Sequence, residues 1–415
     1  MREMKPSSME WVGDIPASWK VMPNKYLMHK KKEICPVYNG EDILSLTMKG
    51  VIVRDLDAGG KMPASFDGYQ RLEPGNLLMC LFDIDVTPRC IGLIKQAGLS
   101  SPAYSQFVLC DDANAAYYCY YYTMLDNDKT LLHLAKNLRH SLTEDQLGAI
   151  PVIVPPTDEQ QRIADFLDAE CAEIDVLTAD IQTQIDTLEQ YKRSVITETV
   201  TKGLNPNAEM KDSGVFYMAP MNAAWRLTKI GYICSKLSRS FAPEDTALIC
   251  SNKGKVQVRA DDLTGIMVSD DNAMQGIHAG DIAIHGMDTW HGAIALSEYD
   301  GKITRVVHVC DSTEDKRFIV YYMQHLAFQG VYKLISNGVR GNTSDFRSWD
   351  KVRDIWIAIP ETKEEQAAIC DYLDRQCTAV EEVIATKKEQ LEVLGEYKKS
   401  LIFEYVTGKK EVPLS

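Results

Sequence analysis

The sequence predicts an α+β protein in which two globular units are joined by two long helices that form an antiparallel coiled coil, with a pseudo-two-fold internal duplication. Three observations support this fold class. A segment of 49 residues recurs after a spacing of 206 residues, and its apolar residues follow a seven-residue period. The stretches between the copies alternate short β-rich runs with turn signals, which is typical of α+β domains.

The repeat pairs residues 153–201 with residues 359–407 without a gap, and about eighteen of the forty-nine positions are identical. The identical pairs include Glu159 with Glu365, Gln160 with Gln366, Asp168 with Asp374, and Tyr191 with Tyr397. The same offset pairs Trp19 with Trp225 near the start of each half, whereas the stretches between these anchors share little. A period of this length indicates a duplicated pair of domains and not a solenoid.

Length and composition describe an ordinary folded chain. Its 415 residues are 45% hydrophobic and 25% charged, and no apolar run reaches the roughly 18 residues that a membrane span needs. The N-terminus lacks the apolar core of a secretion signal, so we expect a cytoplasmic protein. The eleven cysteines show no CxxC spacing, which argues against a zinc ribbon or a disulfide framework. Most of the net charge of −14 lies in the repeated helices, which leaves the units between them near neutral.

Each copy of the repeat predicts one long helix with a heptad pattern. The predicted seam of the coiled coil comprises Leu167, Ile174, Ile181, Leu188, Leu373, Val380, Leu394 and Leu401. We assign a second column, Ile163, Leu177 and Tyr191, and the paired Gln184 and Gln390 to the same seam. Two exposed amphipathic helices are the alternative, but two such helices in one chain meet at high effective concentration. The duplication favours an antiparallel pair with the globular units at opposite ends.

The two variable units, residues 11–150 and 217–358, each predict an α+β domain. Runs such as GNLLMCLF and SQFVLC in the first unit, and GDIAIH and RVVHVC in the second, predict short strands. Apolar helical stretches follow at residues 117–140 and 317–340.

Polar clusters in these units are candidates for binding phosphate or base edges, which Arg, Lys, Asn, Gln, Ser and Thr contact most often. The candidates are Lys49, Arg54, Lys61, Arg71, Arg139 and His140 in the first unit, and Lys253, Lys255, Gln257, Arg259, Arg340, Asn342 and Thr343 in the second. Solvated loops are the alternative for the clusters after the helical stretches. A solvated edge strand guarded by lysines is the alternative for KGKVQVR, residues 253–259.

The signatures of catalysis are missing from the sequence. There is no GxGxG turn after a strand, no Walker A motif and no Asn-Pro-Pro-aromatic tetrapeptide, so we expect neither a catalytic residue nor a bound nucleotide or S-adenosylmethionine. His285, Asp288 and His291 lie within seven residues, but they equally fit a polar loop, and we expect no metal. The sequence therefore predicts a binding protein.

Several segments resemble the specificity subunit of type I restriction-modification systems. They are WVGDIPASWK and the weaker MAPMNAAWRL at the start of each half, IPVIVPPTDEQQRIADFLD and IAIPETKEEQAAICDYLD at the start of each long helix, and YKRSVITETVTKGL with YKKSLIFEYVTGKK at its end. The resemblance covers nearly the whole chain in its architecture. In the second copy Pro155 and Pro156 become Glu361 and Thr362, which affects the linker more than the function.

The resemblance implies two target recognition domains, residues 1–155 and 206–360, and two conserved spacer helices, residues 156–205 and 361–415. Each domain would recognise one half of a bipartite, asymmetric site in double-stranded DNA, and the paired helices would set the gap. It further implies assembly with two modification (methyltransferase) subunits and with restriction (translocase/nuclease) subunits. The chain itself would hold no cofactor, because S-adenosylmethionine, ATP and Mg would bind to those partners. The alternative is a non-enzymatic coiled-coil scaffold with protein-binding globular ends.

Overall fold

The structure, a computed structural model, describes residues 2–57, 63–135, 140–259, 273–336 and 345–413. The chain divides into two compact units. Unit 1 comprises Met1–Ile181 with Lys388–Ser415, and unit 2 comprises Gln182–Lys387. Within the described residues, no helix combines the length and the apolar character that crossing a membrane requires.

The elements of unit 1 follow the pattern of short strands and late helices that the sequence predicts. Its strands are β1 (Met4–Pro6), β2 (Asp14–Pro16), β3 (Lys20–Pro23), β4 (Met28–Lys31), β5 (Leu44–Thr47), β6 (Gly50–Val53), β7 (Gln70–Leu72), β8 (Leu77–Met79), β9 (Ile91–Leu93), β10 (Gly98–Ser100), β11 (Ser105–Leu109) and β12 (Pro151–Val154). Its helices are α1 (Ala115–Asn127), α2 (Thr130–Leu134), α3 (Glu144–Ala149) and the first half of α4 (Thr157–Lys202).

Unit 2 repeats this order. Its strands are β13 (Met210–Lys211), β14 (Met221–Asn222), β15 (Arg226–Lys229), β16 (Cys234–Lys236), β17 (Ala247–Cys250), β18 (Val256–Val258), β19 (Met274–Ile277), β20 (Ile282–His285), β21 (Ile294–Leu296), β22 (Gly301–Thr304), β23 (Val307–Ser312) and β24 (Trp356–Ile359). Its helices are α5 (Ile230–Ile233), α6 (Lys316–Phe328), α7 (Val331–Leu334), α8 (Trp349–Arg353), the second half of α4 and the first half of α9 (Lys363–Val406), whose second half belongs to unit 1.

Each unit is built around an antiparallel four-stranded sheet of the same topology. The strand order is β4-β11-β8-β9 in unit 1 and β16-β23-β20-β21 in unit 2. A two-stranded pair, β3 with β12 or β15 with β24, joins the start of each unit to the strand before its long helix. The strands predicted from GNLLMCLF, SQFVLC, GDIAIH and RVVHVC are thus confirmed, and so is the α+β class of both units. Unit 2 has a second four-stranded sheet of order β18-β17-β22-β19. Within KGKVQVR, residues Val256–Val258 form β18 at the edge of this sheet, as the alternative interpretation expected.

The long helices pack antiparallel within each unit. In unit 1 the ring of Phe166 in α4 lies 4.4 Å from the ring of Tyr405 in α9, and Lys398 bonds Asp175 at 2.6 Å. In unit 2 Lys192 of α4 forms an ion pair with Glu381 of α9. As residue numbers rise along α4, the numbers of the contacting residues in α9 fall, so the predicted pair of antiparallel helices is confirmed.

The seam is narrower than the sequence indicated. Of the predicted second column, Ile163 is buried, but the prediction is wrong for Leu177 and Tyr191. Leu177 and Tyr191 are 47% and 51% exposed. Gln184 and Gln390 are also exposed, and Gln184 accepts a hydrogen bond from Lys387 at 2.5 Å. The second column that faces the partner helix alternates along α4 with the column of leucine and isoleucine residues. It consists of small or polar residues, Ala164, Cys171, Thr178 and Lys192, with Ile185 as the exception. Of the first column, Leu167, Ile174, Ile181, Leu373, Val380 and Leu401 are buried, and Leu188 and Leu394 are half-buried.

The repeated polar residues attach each long helix to its own unit. The indole of Trp19 donates to Glu159 at 2.8 Å, and the indole of Trp225 donates to Glu365 at 3.0 Å. The matching hydrogen bonds at the next positions are Asn114 N to Gln160 Oε1, Asp315 N to Gln366 Oε1, Tyr120 Oη to Asp168 and Tyr321 Oη to Asp374, all between 2.7 and 2.9 Å. Burial, followed by the neighbouring Asp168, raises the pKa of Tyr120 far above its usual value, so this tyrosine stays a hydrogen-bond donor. The recurring motif is therefore explained by the fold.

Candidate nucleic-acid interface

In unit 1, two loops meet at one end of the central sheet. One loop leaves the C-terminal end of β8, and the other leads from α2 to α3. Ile84 N donates to His140 O at 3.2 Å, and Leu142 N donates to Leu81 O at 2.8 Å. We call this part of each unit the loop end. The predicted loop residue His140 therefore lies beside a segment, residues 81–84, that the sequence did not single out.

The loop end of unit 1 exposes aromatic and ionisable groups together. Phe82 and Tyr104 stack with ring centroids 6.1 Å apart, and the charge of Arg54 lies close enough to oppose the rise that burial causes in the pKa of Tyr104. His140 Nδ1 lies 3.0 Å from Asp85, and this hydrogen bond holds the pKa of Asp85 below its usual value. Aromatic rings, arginine and histidine are groups that contact thymine methyls, base edges and phosphates.

The loop end of unit 2 has the same architecture and different side chains. The loop after β20 accepts a hydrogen bond from the segment that leads to α8, since Phe346 N donates to Gly286 O at 3.0 Å. The guanidinium of Arg347 reaches the sulfur of Met287 at 3.0 Å and is exposed. The ammonium of Lys333 lies 3.8 Å from the ring centre of Trp290, a cation–π contact. Exposed arginine at such a place can bind guanine or phosphate.

His285, Asp288 and His291 lie in one turn. The backbone N–H of Asp288 donates to His285 Nδ1 at 3.1 Å, so that nitrogen is an acceptor already in use. Burial lowers the pKa of His285, which keeps the ring neutral. Across the described ranges, no three side chains of the metal-ligating types come together.

The other predicted residues of unit 1 are more dispersed. Lys49 is exposed at the turn between β5 and β6. Arg71 lies in β7, where it faces Glu41 at 3.4 Å and Glu33 at 3.7 Å and donates to the sulfur of Cys35. Its charge is used inside the unit, which makes Arg71 a cross-link between segments and a poor candidate for a DNA contact.

In unit 2 the predicted basic segment, residues 253–259, contacts the long helix α9. Lys255 bonds Glu381 of α9 at 2.8 Å, and the side-chain hydrogen bond to this carboxylate raises the pKa of Lys255. Lys253 and Gln257 are exposed and Arg259 is half-buried, with its backbone N–H bonded to Ala247 O. Lys61, Arg139, Arg340, Asn342 and Thr343 lie outside the described residues.

Sequence reasoning missed Phe82, Tyr104, Trp290 and Arg347. No local motif identifies them, because they are brought together by loops that are far apart in the chain. The only signal was the internal alignment, in which EPGNLLMC and HAGDIAIH match and place the loops after β8 and β20 at equivalent positions.

The long helices expose apolar side chains that recur in both copies. In unit 1 these are Leu177 and Tyr397, and in unit 2 the equivalent residues are Val383 and Tyr191; each is between 45% and 52% exposed. Because the same two positions are exposed in both units, these side chains are candidates for binding a protein partner. Each unit therefore presents a like apolar surface on its helix pair.

Residues 103–187 match the family model of the type I restriction modification DNA specificity domain. The matched segment runs from β11 through α1, α2, α3 and β12 into α4, so it includes one side of the loop end of unit 1. No curated protein matches the chain.

One solved structure shares the fold, and two others are similar to the chain more weakly. One chain comes from a structure that concerns complex assembly and conformational transition of the type I R-M system. It is 13% identical, aligns with 95% of this chain and 99% of its own, and has a TM-score of 0.66. An HsdS subunit from Thermoanaerobacter tengcongensis is 13% identical over 98% of this chain and 100% of its own, with a TM-score of 0.46. A type I restriction-modification S subunit from M. genitalium is 12% identical over 96% of this chain and 97% of its own, with a TM-score of 0.39.

Proposed function

We propose that this chain, whose residues 103–187 match the type I restriction modification DNA specificity domain, is a specificity subunit of that family, and that its two units each recognise one half of a bipartite, asymmetric DNA site. The chain is the recognition component of such a system and not its catalyst. The recognition domains are residues 1–155 and 206–360, and the spacer helices are residues 156–205 and 361–415.

The loop ends carry this proposal. Both are formed by the same two connections on the same sheet topology, yet the side chains there differ: Phe82 and Tyr104 in unit 1, Met287, Trp290 and Arg347 in unit 2. A common scaffold with different exposed groups is what two unlike half-sites require, because base identity is distinguished by side-chain donors, acceptors and apolar groups.

The partners follow from the like surfaces on the helices. Two identical methyltransferase subunits need two like docking sites, and the exposed pairs Leu177 with Tyr397 and Val383 with Tyr191 supply one in each unit. Double-stranded DNA and restriction subunits complete the assembly. S-adenosylmethionine, ATP and Mg belong to those partners.

Sequencing of adenine methylation tests the proposal. Cells express the full chain with its methyltransferase subunit, and the methylated motif is determined for the native chain, for Phe82→Ala and for Arg347→Ala. We expect a bipartite motif in which Phe82→Ala relaxes one half and Arg347→Ala relaxes the other, each by about 1–3 kcal/mol of base discrimination. Tyr26→Ala, an exposed aromatic outside the loop end of unit 1, is the matched control and keeps the native motif. Two variants that relax the same half-motif would contradict the assignment of one half-site to each unit.

A coiled-coil scaffold is the second candidate, since the acidic helices and near-neutral units fit protein partners too. Duplex binding whose affinity falls steeply with salt favours the specificity subunit. Absence of any methylated motif together with absence of duplex binding favours the scaffold.

A further inference from the structure

Unit 2 contains an open groove beside its loop end. Its volume is about 760 Å³, and its walls include Lys236, Ser238, Arg239, Ser240, Phe241 and Arg305. Lys236 ends β16, and Arg305 lies two residues before β23. The groove thus opens at the same end of the sheet as the loop after β20.

One wall of the groove is fixed by close backbone packing. Arg239 O accepts from Gly276 N at 3.0 Å, and a Cβ atom at Gly276 would lie 2.3 Å from Ser240 O, so only glycine fits at this crossing. The guanidinium of Arg239 holds both oxygens of Asp281 at 2.8 and 2.9 Å, and that carboxylate is 4% exposed. Arg239 is therefore occupied by the fold, and its wall is rigid.

Two cations of the groove are available to a ligand. Lys236 is exposed and has no ion pair with any residue that the structure describes. Arg305 uses Nε to bond Met274 O at 2.9 Å, which leaves its two terminal nitrogens for an anion. The hydroxyls of Ser238 and Ser240 are further donors, and none of the described lining residues is acidic. This combination of lysine, arginine and hydroxyl donors suits phosphate oxygens.

In the corresponding segment of unit 1, two of the three lysines are neutralised, and the third, Lys32, is exposed. Lys30 on β4 is equivalent to Lys236 on β16, because their strand partners Phe107 and Cys310 lie opposite the equivalent residues Leu77 and Ile282. Lys30 forms an ion pair with Glu144, and its neighbour Lys31 forms one with Glu73. At the position that matches Arg239, unit 1 has Glu33. The two units therefore differ in the charge that they offer beside the loop end.

We propose that the groove of unit 2 binds the phosphate backbone of duplex DNA and that unit 2 supplies more of the salt-dependent affinity than unit 1. This inference rests on the proposed function and adds to it a site and an asymmetry. As a consequence, unit 2 binds its half-site mainly through phosphate contacts. Unit 1 binds its half-site mainly through side chains that are uncharged or already ion-paired.

Titration of a duplex with the purified full chain tests the groove. The probe is a 30-base-pair duplex of arbitrary sequence, and fluorescence anisotropy is measured from 20 to 200 mM salt for the native chain, Lys236→Ala and Arg305→Gln. Each lost phosphate contact lowers the slope of log affinity against log salt by about 1 and the affinity at 100 mM salt by about eightfold. Lys30→Ala is the matched control and leaves both nearly unchanged. Thermal melting of every variant verifies that the chain is folded.

Three results overturn the inference. They are groove variants with the native slope, a Lys30→Ala variant with the same loss as Lys236→Ala, and a native chain that binds no duplex at 20 mM salt. Methylation sequencing separates the two levels of argument, because a bipartite motif that persists beside an inert groove leaves the proposed function intact and removes only the groove.

Discussion

Under the proposed function, the length of the paired helices sets how far apart the two half-sites lie. In an α-helix seven residues add about 10.5 Å, and the seam repeats every seven residues. One extra heptad in α4 and one in α9 therefore lengthen the spacer without turning the seam away from its partner. At 3.4 Å per base pair, we expect the gap of the methylated motif to grow by about three base pairs while both half-motifs stay the same.

The insertion site follows from the antiparallel packing. Duplicating residues 175–181 in α4 and residues 381–387 in α9 adds the heptads at equivalent points of the repeat, so that the two long helices remain matched. Insertion into α4 alone is the control. It shifts one helix against the other by about 10.5 Å, so that the Asp175–Lys398 and Lys192–Glu381 ion pairs cannot both form. We expect that control to lose stability and methylation.

The assay is again sequencing of adenine methylation in cells that express the variant with its methyltransferase subunit. An unchanged gap in a folded, active double insertion would refute the idea that the helices set the spacing. A changed half-motif would refute the separation of recognition from spacing.

Three further predictions concern side chains that form contacts within one unit. Glu159→Gln lowers the melting temperature by about 3–6 °C and Glu365→Gln by less than half as much, because both bond a buried tryptophan indole but only Glu159 also forms a bidentate pair with an arginine, Arg2. Burial lowers the pKa of His325 to about 4, below its usual value near 6.5, so the neutral ring stabilises unit 2 fully above pH 6.5 and this stabilisation is lost as the pH falls towards 4. Between pH 7 and 5 the loss is about 2 kcal/mol, which thermal melting detects and His325→Met abolishes. Lys255→Ala leaves the salt slope of duplex binding unchanged, because Glu381 already holds its ammonium.

Each of these predictions has a clear contrary result. Equal losses for the two glutamate variants would show that the arginine contributes nothing. A pH dependence that survives His325→Met would place the titrating group elsewhere. A fall of about 1 in the salt slope of Lys255→Ala would return that lysine to the DNA-binding surface.

The internal repeat made the architecture predictable from sequence, and particular residues show why. Glu159 and Gln160 recur because each of the two copies has the same indole and the same backbone N–H to satisfy. Residues with the same role in both copies are therefore identical in the internal alignment. The heptad column of Leu167 and Ile174 is visible for the same reason, because apolar spacing reports burial.

The second column of the seam was misassigned because its true members are inconspicuous. Ala164 and Cys171 are small enough for the close approach of two helices, and a search for large apolar residues passes over them in favour of Leu177. The loop ends were missed for a different reason. Phe82 and Tyr104 are separated by β9 and β10, so their stacking depends on strand pairing that local patterns do not encode.

Most identical positions of the repeat have an internal purpose, since Glu159, Gln160 and Asp168 bond their own unit and Leu167 is buried. Tyr191 and its match Tyr397 do not fit that explanation, because both are half exposed on the helix surface. A duplicated chain that keeps the same large apolar ring twice on an exposed face loses solubility without gaining core packing. The simplest reason for keeping it is a partner that binds twice, which is why the exposed column supports the proposed pair of identical methyltransferase subunits.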